Sequence, residues 1–260
     1  MSVCQAVTEP PSRRIPVRRL FDVPIAAVTM ADALSLVDEA IARRGSLLIG
    51  AVNAAKVVNM RRDAGLRTAV LRSDLILADG MAVVWAARLL GVGVPERVSG
   101  IDLMYGMLDR GRQRGYRVYC LGASEAVLAD VTARIPAAYP GVVVCGAHHG
   151  YFGDKDEPVI VEAIRAARPD ILLVAMSPPK KELFLARWAE HLGVPVMHGV
   201  GGAFDVLAGK VRRAPGGWQR WGLEWLYRVI QEPRRMWRRY LVTNTLFCTM
   251  VLVELLRPRR

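Results

Sequence analysis

The chain has 260 residues and a mass of 28.7 kDa, which is too long for a small stapled module and fits one large α/β domain, with or without an appendage. Hydrophobic residues make up 52% and charged residues 23%, a composition that excludes global disorder. There are 36 Lys and Arg against 24 Asp and Glu, and this net charge of +12 predicts an anionic partner: nucleic acid, a membrane surface or a phosphate-bearing substrate.

Short apolar runs alternate with helical patterns along the chain. The pattern predicts helices at 54–62, 81–90 and 125–135, and strands at 46–51, 74–78, 116–121, 142–145, 171–175 and 194–198. This alternation predicts an α/β fold whose sheet is mostly parallel and covered by helices on both faces. We divide the chain into an N-terminal polar segment at 1–22, an α/β catalytic domain at 23–209 and a C-terminal helical appendage at 210–260.

The appendage carries most of the positive charge. It holds twelve Lys and Arg against three Glu, which leaves nine of the twelve net charges in this segment. Trp218, Trp221 and Trp225 are spaced to share one helix face, and Pro233 predicts that a second helix starts there. Arginine beside tryptophan is typical of helices that lie in the headgroup layer of a membrane.

The final apolar run, at 241–256, is shorter than the roughly 20 residues that a membrane span needs. The appendage therefore has three interpretations: a helix packed on the core, a membrane-surface anchor, or a nucleic-acid contact. Charge beside aromatic residues favours the anionic inner membrane surface, and the lack of a recognised nucleic-acid module argues against nucleic acid. The opening stretch lacks the apolar core of a signal peptide, so we expect a cytoplasmic protein, peripheral on the inner face of the plasma membrane.

In a parallel sheet, ligands bind beyond the carboxyl ends of the strands. The residues that follow the predicted strands here are small, polar or charged, as expected for a binding site: Asn53, Asp79-Gly80, 122–124, 148–151, 176–182 and 199–205. The glycines at 199–202 would let backbone N–H groups approach a diphosphate. This loop is not a GxGxxG fingerprint, which disfavours a dinucleotide-dependent oxidoreductase.

Several of these segments fall together in one order. They are Asn53, SDLILADGMAVVWAARLLG at 73–91, ERVSGIDL at 96–103, HHGYF at 148–152, PPKKE at 178–182, GVGGAFDVLAGKVRRAP at 199–215 and GLEWLYRVIQEPRRMWRRYL at 222–241. In these motifs and in their order, the chain closely resembles the WecG/TagA/CpsF family of bacterial glycosyltransferases, glycosyltransferase family 26.

The resemblance implies a Rossmann-like fold with a C-terminal appendage that meets the membrane and helps to complete the site. It also implies inverting, metal-independent transfer of a sugar from a UDP-sugar to a polyprenyl-diphosphate-linked sugar, in the biosynthesis of cell-surface polysaccharide or exopolysaccharide. No cofactor is expected.

In this family the Asp of the DG motif, here Asp79, is the candidate general base; the alternative is an N-cap for the helix at 81–90. Asn53 is expected to bind a sugar hydroxyl or to orient Asp79. Two positions depart from the family pattern: Ala51 replaces a frequent Thr, and Lys181 replaces a frequent Gln. A lysine at 181 would face phosphate as a point charge.

The other candidates are substrate-binding residues. Arg97 is expected to neutralise a diphosphate, unless it forms an ion pair with Glu96 or Asp102. Tyr151 would stack on uracil, and Asp205 would accept from the ribose; the alternatives are a core aromatic and a helix cap. Gly201 and Gly202 would approach the diphosphate.

The arginines of the appendage could close over diphosphate groups or bind the membrane surface. They are Arg212, Arg213, Arg228, Arg234, Arg235, Arg238 and Arg239. The sequence does not separate the arginines that do one from those that do the other. No metal site is predicted, because His148 and His149 are adjacent and Asp154 and Asp156 lie in a polar loop.

Alternatives stay open at this point. The chain is either a transferase or a non-catalytic nucleotide- or membrane-binding protein, and the donor is UDP-glucose, UDP-N-acetylmannosamine or its uronate. Whether it forms a homo-oligomer is also left open by the sequence.

Overall fold

The computed structural model describes residues 15–231 and 233–257. Strands lie at Val17–Leu20 (β1), Val23–Ala26 (β2), Leu47–Val52 (β3), Leu75–Ala78 (β4), Arg117–Gly122 (β5), Val143–His148 (β6), Ile171–Ala175 (β7) and Val196–Gly199 (β8). Helices lie at Met30–Ala42 (α1), Ala54–Met60 (α2), Ala64–Leu71 (α3), Met81–Leu89 (α4), Gly100–Arg114 (α5), Glu125–Ala138 (α6), Glu157–Ala167 (α7), Lys180–Leu192 (α8), Ala203–Leu207 (α9), Gly216–Arg220 (α10), Glu224–Gln231 (α11) and Pro233–Leu256 (α12).

Six strands form one parallel sheet in the order β4-β3-β8-β7-β5-β6. Both faces are covered, which is why β7 is buried along its whole length. Its alternate side chains enter two different cores: Ile171 and Leu173 pack with α1, α5 and α6, whereas Leu172 and Val174 pack with α7 and α8. The predicted α/β fold class is therefore confirmed.

The N-terminal end of the described chain joins a third core. β1 and β2 form an antiparallel hairpin, and its Phe21 is buried with residues of α2, α3 and α4. This hairpin overlaps the segment that we assigned as polar at 1–22. The division of the chain at residues 22 and 209 remains a prediction.

The appendage differs from its sequence-based description at one point. Trp218 lies in α10, Trp221 follows that helix, and Trp225 lies in α11, so the three tryptophans do not share one helix face. The break comes at Gly222, whose φ of 66° is left-handed and where a Cβ would lie 2.6 Å from the Cβ of Met81. Glycine is required there because the turn passes directly over α4.

The predicted start of a helix at Pro233 is confirmed by α12. Its middle packs against α2, and Phe247, which is 3% exposed, meets Phe21 edge-on with 5.6 Å between ring centroids. The packed-helix interpretation therefore holds for this face. Within the part of the chain that the structure describes, no helix combines the length and apolarity needed to cross a bilayer.

Candidate active site

The strand order places four strand ends side by side. β4, β3, β8 and β7 are consecutive neighbours, so the segments that follow them meet at one edge of the sheet. These segments carry Asp79, Asn53, the 199–202 glycine loop and Lys181. The parallel topology alone brings together residues that are up to 149 positions apart in sequence, from Asn53 to Gly202.

Asp79 is held by the N-terminus of α5. Its Oδ1 accepts a hydrogen bond from the N–H of Gly100 at 3.0 Å, and Gly100 is the first residue of that helix. The N-cap of α4 is Gly80 instead, so the carboxylate does not serve as the N-cap of the helix that follows it. The positive end of the α5 dipole therefore faces this carboxylate, which is partly exposed at the strand edge.

Asn53 caps α2 and lies against the Asp79-Gly80 turn. Its Oδ1 accepts from the N–H of Lys56 at 3.0 Å. A Cβ at Gly80 would lie 3.2 Å from the Cβ of Asn53, so glycine allows this close approach. Capping fixes the side chain beside the turn that carries the candidate base.

A buried charge cluster lies beneath the strand ends. Lys56 Nζ is 2.8 Å from Glu182 Oε1, Lys181 Nζ is 3.7 Å from the same oxygen, and none of the three side chains is more than 11% exposed. Burial and the neighbouring Lys56 lower the pKa of Lys181 to about 8, against the opposing effects of Glu182 and Asp79. Lys56 was not among the predicted site residues, and its one signal was a lysine within the apolar helix AAKVVNM. Glu182 was predicted only as part of the 176–182 segment, without a role of its own.

Lys181 also reaches the glycine loop. A Cβ at Gly199 would lie 3.3 Å from Lys181 Cδ, and one at Gly201 would lie 3.3 Å from its Nζ. The lysine stem therefore runs along the loop, and its ammonium group lies at Gly201. The N–H groups of Val200 and Gly201 donate to Val174 O at 2.9 and 3.4 Å, so these loop donors are already engaged in the fold.

Both departures from the family pattern lie at one small cavity. The cavity measures about 20 Å³, which is room for a single water molecule. Ala51 lines it together with Lys56, Ser73, Lys181 and Glu182. The absence of a side-chain hydroxyl at 51 and the presence of an ammonium group at 181 therefore change the polarity of the same space.

A second charge cluster joins the appendage to α5. Arg97 lies 3.0 Å from Glu224 and 3.3 Å from Asp102, while Arg213 lies 2.6 Å from Asp102 and 3.7 Å from Glu224. Burial raises the pKa of Asp102, but Arg213, Ser99 and Arg97 outweigh it and bring the pKa below its ordinary value. The alternative given for Arg97, an ion pair, is thus present with Asp102, whereas Glu96 accepts from the N–H of Met30. Glu224, which links the two arginines, was not anticipated.

Tyr151 lies on the surface beyond β6. It is 78% exposed, so the core-aromatic alternative is wrong. Lys180 Nζ donates to the carbonyls of Gly150 and Phe152 at 2.9 and 2.5 Å and lies 4.0 Å from the centre of the Phe152 ring. Lys180 therefore ties the Tyr151 loop to the segment that carries Lys181.

The remaining candidates lie around this edge or in the appendage. Gly202 is the N-cap of α9, and Asp205 lies in its first turn, partly exposed. Arg212, Arg234 and Arg238 are exposed, and the Arg238 guanidinium lies 5.4 Å from the centre of the Trp237 ring. The side chains of Arg228, Arg235 and Arg239 lie outside what the structure describes. In residues 15–231 and 233–257, no group of three or more His, Cys, Asp or Glu side chains is arranged to hold a metal ion.

The parallel sheet and the carboxylate at its edge define an α/β protein with a candidate site at the carboxyl ends of the strands, where ligands bind in open α/β sheets. The chain belongs to the glycosyl transferase WecG/TagA/CpsF family, whose model matches residues 18–260. It is similar to the N-acetylglucosaminyldiphosphoundecaprenol N-acetyl-beta-D-mannosaminyltransferase of Bacillus spizizenii (strain ATCC 23059 / NRRL B-14472 / W23), with 38% identity over 174 residues. That match covers 66% of this chain and 66%, just under two thirds, of the relative.

Proposed function

We propose that this protein is an inverting, metal-independent glycosyltransferase that moves a sugar from a UDP-sugar to a polyprenyl-diphosphate-linked sugar at the inner membrane surface. The observation that carries the proposal is the placement of Asp79, a partly exposed carboxylate held at the strand edge by the Gly100 N–H. Family membership supports the transfer chemistry. The relative's name, which specifies a diphosphoundecaprenol-linked sugar, supports the acceptor class.

Asp79 takes the role of general base. With Oδ1 engaged by Gly100, Oδ2 is the oxygen that accepts the proton of the acceptor hydroxyl. The acceptor oxygen then forms its bond to the anomeric carbon as the bond from that carbon to the UDP phosphate oxygen breaks. Attack opposite the leaving group inverts the anomeric centre.

Lys181 takes the role of the leaving-group cation. Its ammonium group lies at Gly201, in the loop that follows β8, and we assign it to stabilise the charge that develops on departing UDP. Arg97 and Arg213, which pair with Asp102 in the first turn of α5 and with Glu224, are further cations that a diphosphate of donor or acceptor could recruit. This supply of fixed positive charge supports the proposal that no metal is needed. Asn53 would orient the sugar, while Tyr151 and Asp205 would bind the uridine.

The pH dependence of donor use tests the role of Lys181. Because the pKa of Lys181 is lowered to about 8, we expect kcat/KM for the donor to fall as the pH rises through that value and the ammonium charge is lost. Lys181→Gln should be about tenfold to a hundredfold less active at neutral pH, the cost of one charge-assisted contact, and should lack this alkaline decline.

Lys210→Gln is the matched control, since Lys210 is an exposed lysine that pairs with Asp130. Lys210→Gln should keep wild-type activity at neutral pH and the same alkaline decline in kcat/KM for the donor. Steady-state kinetics from neutral pH to about two units above it measures both variants. An unchanged alkaline limb in Lys181→Gln would contradict the assigned role.

We propose that the free face of α12 binds an anionic bilayer. Trp237, Leu241, Leu252 and Leu256 follow one face by helical spacing and are 47%, 59%, 57% and 75% exposed, whereas Phe247 points to the core. The exposed Arg234 and Arg238 lie at the start of the same helix. Apolar and aromatic side chains flanked by arginine fit a headgroup layer.

Replacing the two described arginines should weaken this binding. Arg234→Ala combined with Arg238→Ala is expected to lower the affinity for phosphatidylglycerol-containing vesicles about thirtyfold, from roughly 1 kcal/mol per charge. Arg43→Ala with Arg112→Ala, two exposed arginines of the α/β body, should leave it unchanged. Vesicle co-sedimentation measures both pairs. Equal losses would mean that general charge, and not this helix, attracts the protein.

The activity itself is tested by UDP release in EDTA with a polyprenyl-diphosphate-sugar acceptor analogue. The donors are UDP-N-acetylmannosamine, its uronate and UDP-glucose. The first matches the sugar in the relative's name, and the other two test whether Ala51 and Lys181 change which donor sugar is used. Release that requires the acceptor and occurs with one donor supports the proposal. UDP binding without turnover of any donor would favour a non-catalytic binding protein.

A further inference from the structure

His198 is a fully buried polar residue beside the candidate base. It lies on β8, is 0% exposed, and has its ring between two backbone carbonyls: Nε2 is 3.0 Å from Gly100 O and Nδ1 is 3.5 Å from Ile49 O. Burial lowers the pKa of His198, an effect that Lys181 reinforces and that the Gly100 and Ile49 carbonyls and Asp79 oppose. The shorter of the two contacts assigns an N–H to Nε2, which donates to the Gly100 carbonyl.

Gly100 lies between this imidazole and Asp79. Its carbonyl accepts from His198 Nε2, and its own N–H donates to Asp79 Oδ1 at 3.0 Å. A Cβ at position 100 would lie 3.3 Å from His198 Nε2, closer than side chains ordinarily pack, so glycine lets the ring approach. The first residue of α5 is thus held from both sides, by the base and by His198.

We propose that His198 is a positioning residue for Asp79. By holding the carbonyl of Gly100, it fixes the first turn of α5 and keeps the Gly100 N–H aimed at Asp79 Oδ1. This orients the free oxygen of the carboxylate toward the acceptor. The inference rests on the proposed function for the role of Asp79, but the contact between His198 and Gly100 can be tested without it.

The orientation of a base affects the chemical step more than substrate binding, because a displacement of about 1 Å can cost about a hundredfold in rate. His198→Leu removes the N–H donor and keeps the site apolar. We expect it to lower kcat about tenfold to a hundredfold and to leave KM for the UDP-sugar within about twofold. His198→Gln places an amide N–H near the position of Nε2 and should recover most of the lost kcat.

A second readout does not depend on activity. In protein labelled with 15N-glycine, the Gly100 amide should exchange with solvent at least about tenfold faster in His198→Leu than in the wild type, because its helix turn loses an anchor. His198→Gln should restore the slow exchange. Tyr116→Phe is the matched control: it removes a partly buried 2.7 Å hydrogen bond to Asp38 at the opposite edge of the sheet and should change neither kcat nor Gly100 exchange.

The outcomes separate this inference from the proposed function. Wild-type kcat and wild-type Gly100 exchange in a folded His198→Leu variant would overturn the positioning role. So would a loss of kcat that Gln does not rescue, or one that Tyr116→Phe reproduces. If Asp79→Asn keeps full activity, the assignment of the base fails; faster Gly100 exchange in His198→Leu would still establish the anchoring contact.

Discussion

Asp79→Asn is expected to reduce acceptor-dependent UDP release by about a thousandfold, within the range of a hundredfold to ten-thousandfold that general-base catalysis contributes. The amide oxygen of Asn can still accept from the Gly100 N–H, so the local fold should persist. Binding of UDP should change little, because the substitution removes the proton acceptor and no proposed nucleotide contact. Steady-state kinetics and UDP titration measure the two effects.

Asp63→Asn is the matched control for this substitution. Asp63 also lies at a helix N-terminus, where its Oδ1 accepts from the Leu66 N–H at 2.9 Å, but it is exposed and lies in the loop before α3. It should keep wild-type activity. If Asp79→Asn retained more than about a tenth of the wild-type rate, a role as general base would be untenable.

Glu182→Gln is expected to cause the largest loss of stability, about 3–5 kcal/mol in the free energy of unfolding. The Glu182 carboxylate pairs with the ammonium groups of Lys56 and Lys181, and the substitution removes the negative charge beside these two buried cations. A buried charge that loses its partner keeps the cost of its desolvation and loses the compensating attraction. Urea unfolding monitored by circular dichroism measures the change.

Two further variants test this explanation. Glu190→Gln changes an exposed carboxylate on the same helix and should alter stability by less than about 0.5 kcal/mol. Adding Lys56→Met to Glu182→Gln removes one cation and should recover part of the loss, because the charge of the cluster is rebalanced. If the double variant loses as much unfolding free energy as the two single variants lose together, Glu182 does not stabilise the protein by balancing the charge of the cluster.

The sequence predicted the fold class because each strand of the central sheet is a short apolar run. β7 was predicted with its observed bounds because it is buried on both faces and ends at a polar turn. The ends of β6 were less exact: the prediction stopped at 145, whereas the strand continues to His148 with side chains that are only partly buried. Exposure weakens the apolar pattern on which such predictions depend.

The residues that follow the strands were also predictable, since parallel topology gathers strand ends wherever they lie in the sequence. The alternation of strands and helices did not predict which side chains meet beneath the strand ends. Lys56 meets Glu182, Glu224 meets Arg97, and His198 meets Gly100 and Ile49 across 98 to 149 residues of sequence, and no local spacing encodes these contacts. The single helix face predicted for the three tryptophans was wrong because Gly222 turns the chain over α4, a tertiary constraint.

Mass analysis of the lipid tests the proposed transfer and the role of Asp79 most directly. Wild type and Asp79→Asn are incubated side by side with UDP-sugar, polyprenyl-diphosphate-sugar acceptor and EDTA. We predict that the wild type adds one sugar to the lipid and releases one UDP for each lipid extended, while the variant binds UDP and leaves the lipid unchanged. UDP release without a lipid product would contradict the proposed transfer, and equal extension by both proteins would contradict the role of Asp79.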